Sequence, residues 1–143
     1  MSEENVEKMR AAFDAFNRGD LDGLLADLAP EFEYIPTGGL PDSDEVYRGL
    51  DEYRRFFGWF TDQFDDPRIE ANEVIDAGDA VRDDGTMVNQ LVASLTNHGR
   101  GKISGVETTW TVWIVWTIED GRGVKGQAFT RKEEAFDAAG LSE

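Results

Sequence analysis

The feature that most constrains the fold is a change in hydrophobic period near residue 69. Before this point, apolar side chains recur three and four residues apart, which is typical of amphipathic helices. From Ile69 onward, apolar and polar side chains tend to alternate, which is typical of strands with one buried face. Helices followed by strands in this way favour an α+β fold, in which the helices pack on one face of an antiparallel sheet.

The helical half contains three amphipathic segments. Their apolar positions are Val6, Met9, Phe13 and Phe16, then Leu21, Leu24, Leu25 and Leu28, then Tyr53, Phe56, Phe57, Phe60 and Phe64. Strands are predicted at 32–35, 69–77, 79–83, 87–96, 106–119 and 123–130, followed by a helical turn at 131–139. Residues 37–48 are predicted to form a polar loop. No linker divides the chain, so we expect one domain over residues 1–143.

The balance of charges excludes several classes of partner. The 143 residues include 30 acidic and 14 basic side chains, which give a formal net charge of −16. A field of this sign repels nucleic acids and anionic membrane surfaces, so we expect neither as a partner. The excess acid fits either adaptation to high salt or an ordinary acidic protein, and the sequence leaves both interpretations open.

Cysteine and long apolar runs are both missing from the sequence. Without cysteine, disulfides and thiolate metal sites are excluded, and one histidine offers little to a transition metal, so we expect no metal site. No apolar run approaches the roughly 20 residues that span a bilayer. The acidic, polar start is unlike a secretory signal, and we therefore expect a cytoplasmic protein.

Several short motifs carry a family resemblance. They are Phe16-Asn17-Arg18-Gly19-Asp20-Leu21, Tyr34-Ile35-Pro36-Thr37-Gly38-Gly39, Tyr47-Arg48-Gly49 and Trp116-Thr117-Ile118-Glu119-Asp120-Gly121-Arg122. In order and spacing, the chain resembles the SnoaL-like branch of the nuclear transport factor 2-like superfamily, to which ketosteroid isomerases are related. The resemblance implies a nuclear transport factor 2-like cone, in which a curved sheet folds around a helix, and pairing as a homodimer.

The catalytic positions that this resemblance implies hold aliphatic residues. Ketosteroid isomerases use a carboxylate base before the first-strand proline and an oxyanion hole of one tyrosine and one aspartic acid. Alignment on the shared motifs places Ile35, Ala12 and Ile114 there. The acids used by related cyclases and epoxide hydrolases have no counterpart in strands 123–130 and 87–96. None of these three chemistries is expected to transfer.

Other residues are candidates for lining a pocket inside the cone. Tyr34 lies at the predicted mouth of the cone. It is either a hydrogen-bond donor to a ligand carbonyl or an ordinary strand tyrosine. Alternation places Trp110, Ile114 and Trp116 on one inner face, as pocket walls or as plain core. The remaining candidates are Phe56 and Phe60 on the third helix and Asn89, a strand amide that is either a ligand contact or a structural group.

Four further residues have a simpler interpretation. Glu33 is expected to be a solvated strand acid rather than a base. His98, beside glycines, is expected at the solvated tip of a hairpin. Trp113 and Val115 lie on the outer face of their strand, which suggests a dimer contact.

Two functions fit these observations. The first is a pocket for an apolar, aromatic or polycyclic metabolite, with any chemistry being a cofactor-free isomerisation, cyclisation or hydration. The second is a non-catalytic ligand-binding or dimeric interaction domain, which the loss of the family's acids and bases favours.

Overall fold

The computed structural model describes residues 2–36 and 46–141, so residues 37–45 of the predicted polar loop lie outside it. The helices are α1 (Ser2–Asn17), α2 (Leu21–Leu25), α3 (Gly49–Gln63) and α4 (Lys132–Ala138). The strands are β1 (Leu28–Ile35), β2 (Tyr47–Arg48), β3 (Phe64–Val81), β4 (Met87–Gly101), β5 (Glu107–Glu119) and β6 (Arg122–Phe129).

The strands form one curved, open sheet in the order β2-β1-β6-β5-β4-β3, and α1 to α3 lie on its concave side. The predicted α+β cone is therefore confirmed. The sheet is mixed rather than purely antiparallel, because β1 pairs in parallel with β6. Two parallel neighbouring strands must be joined by a long connection. Between β1 and β6 the chain forms β2, α3, β3, β4 and β5.

The element boundaries differ from those predicted in several places. β1 begins at Leu28, a predicted helical position, Tyr47 and Arg48 form β2 within the predicted polar loop, and Phe64 begins β3 rather than ending the third helix. The two strands expected at 69–77 and 79–83 are one continuous strand, β3. Gly78, with a φ of 91°, occupies a register irregularity next to Asp76, and this bulge absorbs the glycine without ending the strand. The prediction for His98 is also corrected, because His98 lies within β4 opposite Thr109, and the hairpin turns beyond Gly101.

Aromatic side chains fill the space between the helices and the sheet. Phe32, on β1, is fully buried, and its ring centroid lies 4.8 Å from that of Tyr53 and 5.9 Å from that of Trp116. On α3, Tyr53, Phe57 and Phe60 are buried, as the helical spacing predicts. The inner face of the sheet is thus the main core of the protein.

A smaller core lies on the convex side of the sheet, under α4. Val92 and Val115 pack there with Ala135 of the helix. The rings of Trp113 and Phe136 meet edge to face with centroids 6.0 Å apart. The C-terminal helix thus buries Val115, whereas Trp113 stays half-buried beside it, and the dimer contact suggested for this face stays a prediction.

The end of α1 is attached to β3 by one amide side chain. Asn17 accepts a hydrogen bond from the Ile69 N–H through Oδ1 and donates one to the Ile69 carbonyl through Nδ2, both at 2.8 Å. This pair fixes α1 against the strand whose Ile69 side chain faces the core.

Replacing Asn17 with alanine is expected to lower the free energy of unfolding by about 1–3 kcal/mol. The reason is that two hydrogen bonds are lost, each contributing about 0.5–1.5 kcal/mol. Urea denaturation measures the change, and Ile103→Ala, at a fully exposed side chain, is the control with the smaller expected effect. Equal losses for the two variants would contradict the role given to Asn17.

Candidate functional site

A small cavity lies between α3 and the concave face of the sheet, and we call it the cup cavity. About 50 Å³ of it is accessible to the centre of a water molecule. Most of its walls are aromatic or aliphatic: Phe13, Tyr34, Tyr53, Phe56, Phe57, Trp59, Phe60, Ile69, Leu95, Asn97, Trp110, Val112, Ile114 and Ala128. Ligand pockets usually measure about 300–1,000 Å³. The rings therefore fill most of the cup in this conformation, and a larger ligand requires some of them to rotate.

Three polar side chains reach this apolar cavity. Tyr34, Tyr53 and Asn97 are 6%, 2% and 9% exposed. No hydrogen bond joins their hydroxyl groups or the Asn97 amide to another group within residues 2–36 and 46–141, and none of these polar atoms is completely shielded from water. These three groups are therefore open to water or to a ligand in the cavity.

The elements bring these three groups together by simple periodicity. Asn97 follows Leu95 on the inward-facing side of β4, and its neighbours across the sheet are Ile69 and Trp110. Tyr34 projects inward from β1, and its ring lies 5.1 Å from that of Tyr53 on α3.

Burial sets the protonation state of both phenols. It raises the pKa of Tyr34 and the pKa of Tyr53 well above the ordinary tyrosine value, with smaller contributions from Tyr47 and Tyr34 respectively. Both hydroxyl groups are therefore neutral at physiological pH and can donate as well as accept hydrogen bonds.

Five of the sequence-predicted site residues line the cup cavity together. They are Tyr34, Phe56, Phe60, Trp110 and Ile114. Phe56 and Trp110 are half-buried, and the Trp110 ring meets that of Phe60 edge to face at 5.6 Å. The structure thus brings this part of the predicted site into one place.

Trp116 lines a different cavity. Trp110 and Trp116 share the inner face of β5, but six residues of strand separate them by about 20 Å. Trp116 lies instead beside a second cavity under α1, which we call the base cavity and which has about 60 Å³ accessible to the centre of a water molecule. Phe13 and Tyr53 line both cavities and separate them.

Asn89 lies outside the cup cavity and has a structural environment. Its side chain accepts a hydrogen bond from Asn5 at 2.8 Å and donates to Asp76 Oδ1 at 3.0 Å and to the Gly78 carbonyl at 3.2 Å. The structure therefore corrects the placement of Asn89 among the pocket residues, because this amide connects α1 to the sheet.

Glu33 and His98, which carry titratable side chains, also lie away from the cup cavity. The Glu33 carboxylate faces Arg48 at 3.4 Å and is 43% exposed. His98 Nε2 lies 3.1 Å from a Glu70 carboxylate oxygen at the surface, and its Nδ1 lies 3.4 Å from the Thr109 hydroxyl. Neither side chain lines the cup cavity.

Sequence reasoning missed Tyr53 and Asn97 as polar site residues. Tyr53 was assigned only to the apolar face of the third helix. Asn97 lies one residue beyond the strand predicted at 87–96, although its alternation with Leu95, Ala93 and Leu91 places it on the inner face. Continuing the alternation of β4 past residue 96 is the observation that finds it.

Charged groups are not part of the cup wall. Of the described residues that line the cup cavity, none is acidic, basic or histidine. In the ranges 2–36 and 46–141 no group of three His, Asp or Glu side chains is placed to hold a metal ion. No helix in those same ranges has the length and hydrophobicity to cross a membrane.

Comparison with known proteins agrees with the geometry. A sequence model of the SnoaL-like domain matches residues 9–125. A nuclear transport factor 2-like protein of unknown function from Burkholderia pseudomallei K96243 is 24% identical, over 94% of this chain and 95% of that chain, with a TM-score of 0.73. No curated protein matches the chain.

Two other solved structures share the fold. A provisionally assigned polyketide cyclase from Xanthomonas campestris pv. campestris is 18% identical, over 96% of this chain and 98% of that chain, with a TM-score of 0.65. TerC, co-crystallised with polyporic acid, is 16% identical, over 96% of this chain and 98% of that chain, with a TM-score of 0.69.

Proposed function

This chain belongs to the SnoaL-like domain family, and on that premise we propose that its cup cavity binds a small, flat, largely apolar metabolite with oxygen substituents. The observation that carries the proposal is the set of three unpartnered polar groups, on Tyr34, Tyr53 and Asn97, among aromatic walls. A ligand that pairs with these groups replaces their hydrogen bonds to water, and each such exchange contributes about 0.5–1.5 kcal/mol.

The walls of the cup determine the class of ligand. Rings favour other rings in offset or edge-to-face contact, so an aromatic or polycyclic ligand matches the wall of phenylalanine, tyrosine and tryptophan side chains. The described lining has no cation to neutralise an anionic ligand and no anion to neutralise a cationic one, which favours a neutral ligand. A related fold co-crystallised with polyporic acid supports a small organic ligand of this kind.

Entry of the ligand requires the outer rings to move. Phe56, Trp59 and Trp110 are half-buried and line the cavity, whereas Phe57 and Phe60 are buried behind them. Rotation of half-buried rings exposes less apolar surface than rotation of buried ones, so these three form the proposed opening.

The proposal predicts that 2-naphthol binds about ten-fold more tightly than naphthalene, because only the naphthol pairs with the cup's polar groups. Isothermal titration calorimetry measures both dissociation constants. In Asn97→Leu and in Tyr34→Phe, the advantage of 2-naphthol is expected to shrink by about three-fold to ten-fold. Ile103→Ala, at a fully exposed site outside the cavity, is the control that keeps the full difference.

Two results would contradict this assignment. One is equal affinity of the wild-type protein for 2-naphthol and naphthalene. The other is tight binding of both probes by Ala128→Leu, in which a larger side chain fills the cup cavity from β6.

A second candidate function is catalysis in the same cavity. Protonated Tyr34 is a suitable donor to a carbonyl oxygen that gains negative charge, as in a cofactor-free isomerisation, cyclisation or hydration. A polyketide cyclase assignment among proteins of this fold favours it. Conversion of a bound substrate that slows in Tyr34→Phe supports catalysis, whereas binding without conversion supports a carrier or sensor.

Pairing as a homodimer in the cytoplasm is part of the same proposal. The convex side of the sheet carries a polar ladder in which Asn72 donates to Thr96 at 2.6 Å and Thr96 lies 3.2 Å from Thr111. This ladder lies apart from the convex core under α4 and faces solvent. It is therefore the surface proposed to pair with a second copy of the chain. Sedimentation velocity tests the pairing, with a charge introduced by Thr111→Glu expected to favour the monomer.

A further inference from the structure

Three aromatic walls of the cup cavity pack against Phe64, a side chain that does not itself line the cavity. The Phe64 ring meets the ring of Trp59 edge to face at 6.4 Å and the ring of Phe60 edge to face at 5.5 Å. Its centroid also lies 5.5 Å from that of the Trp110 ring. Because Trp59, Phe60 and Trp110 all line the cup cavity, Phe64 fills space directly behind its wall.

The side chain of Phe64 lies against the backbone of β4 and cannot retreat in that direction. A Cβ atom built at Gly99 would lie 2.8 Å from both Cβ and Cγ of Phe64, which is closer than two carbon atoms approach in a stable contact. The missing side chain of Gly99 therefore provides the space in which Phe64 packs, with strand backbone directly beneath it.

The backbone of Phe64 is fixed as well. Its N–H donates a hydrogen bond to the Phe60 carbonyl where α3 ends, and Phe64 pairs with Gly101 where β3 begins. One residue earlier, the Gln63 carbonyl accepts a hydrogen bond from the Lys102 N–H at 3.1 Å. Phe64 thus joins α3 to the sheet, and its ring is a firm support for the cavity wall.

The small volume of the cup cavity makes this support important. Only about 50 Å³ is accessible to the centre of a water molecule, so a ring compound enters only when wall rings rotate. The half-buried rings of Trp59 and Trp110 are two of the three that form the proposed opening, and Phe64 contacts both. The volume that the wall can give up is therefore limited by Phe64.

From this arrangement we propose that Phe64 determines the size of the ligand that the cup cavity accepts, acting through Trp59, Phe60 and Trp110. The inference rests on the function proposed above, and it narrows the ligand class to compact ring systems. Phe64 is a positioning residue, because it supports the walls and does not line the cavity. Replacing its ring with a methyl group leaves a hole into which Trp110 or Phe60 can rotate, and the cup cavity gains that volume.

The test compares 2-naphthol with 2-anthrol, which has the same hydroxyl group and one more fused ring. Both compounds fluoresce, so titration with the full chain gives both dissociation constants. In an unrestricted apolar site the third ring raises the affinity, because it buries more apolar surface. In the wild-type protein, 2-anthrol is expected to bind no more tightly than 2-naphthol. In Phe64→Ala, the affinity for 2-anthrol relative to that for 2-naphthol is expected to rise about ten-fold.

Phe136→Ala is the matched control for this comparison. Phe136 is also a half-buried phenylalanine, but it packs in the convex core and does not line the cup cavity. Its truncation removes the same ring atoms elsewhere, so the ratio of the two affinities is expected to stay within about two-fold of the wild-type value. A general loss of stability weakens both probes alike, and the ratio therefore reports the positioning role alone.

A milder variant keeps the test decisive if Phe64→Ala does not fold. Phe64→Leu retains an apolar side chain and leaves a smaller hole, so the relative affinity for 2-anthrol is expected to rise about three-fold. An unchanged ratio in both Phe64 variants, with 2-naphthol still bound, would overturn the inference and leave the proposed function standing. Tighter binding of 2-anthrol than of 2-naphthol by the wild-type protein would do the same. Binding of neither probe by the wild-type protein and Phe64→Ala would overturn both.

Discussion

Replacing Phe32 with alanine is expected to lower the free energy of unfolding by about 3–5 kcal/mol, because it leaves a cavity at the centre of the core. Phe32 is fully buried between β1 and α3, with the rings of Tyr53 and Trp116 at 4.8 and 5.9 Å. The strand backbone of β6 is already in close contact with this cluster, which limits how far the site can collapse. Urea denaturation at neutral pH, followed by circular dichroism, measures the loss.

Ile103→Ala is the matched control for this experiment. The Ile103 side chain is fully exposed in the β4–β5 turn, so its truncation is expected to change the free energy of unfolding by less than about 0.5 kcal/mol. A loss below about 1 kcal/mol for Phe32→Ala would mean that this part of the core repacks freely.

Raising the pH above about 10 is expected to destabilise the protein through Tyr34 and Tyr53. Burial raises the pKa of both side chains in the folded state, whereas in the unfolded chain both ionise near pH 10. Above that pH the unfolded state therefore holds fewer protons than the folded state, and stability falls as pH rises. Each tyrosine lowers the free energy of unfolding by about 1.4 kcal/mol for every pH unit above about 10. Below about pH 9 both side chains are protonated in the folded and the unfolded state, so neither changes the stability.

Urea denaturation at several pH values between about 9 and 12 measures this slope. In Tyr34→Phe the slope is expected to fall by about 1.4 kcal/mol per pH unit, because one of the two ionisations is removed. The phenolate absorbance of the folded protein gives an independent check. If all three tyrosines ionise near pH 10 while the protein stays folded, the buried environment described for Tyr34 and Tyr53 is wrong.

The main features of the fold could be predicted because they follow from local periodicity. The helical spacing of Tyr53, Phe57 and Phe60 determines which face of α3 is buried, and alternation along β5 places Trp110 and Ile114 inward. The parallel pairing of β1 with β6 could not be predicted in this way. It depends on which distant strand lies beside β1, and no local pattern of side chains specifies that.

The candidate site was predicted in part for a similar reason. Alternation gives the face on which a residue lies but not its distance along the strand from a cavity, so Trp110 and Trp116 were placed in one pocket although they line two. Ala12 and Ile114, aligned with the two oxyanion-hole positions of ketosteroid isomerases, likewise line different cavities. Asn97 was missed because glycines beside His98 favour a turn, whereas pairing with both β3 and β5 keeps the segment extended.

The position of β3 at one border of the sheet has a consequence for how the protein behaves at high concentration. A long border strand with unpaired backbone groups is a template for fibril growth. In the described part of the chain, β3 interrupts its hydrogen-bonding register at three places and carries Glu70, Glu73 and Asp79 along its length. An approaching copy would meet a broken ladder and like charges, so this border should resist self-templated aggregation despite its eighteen residues.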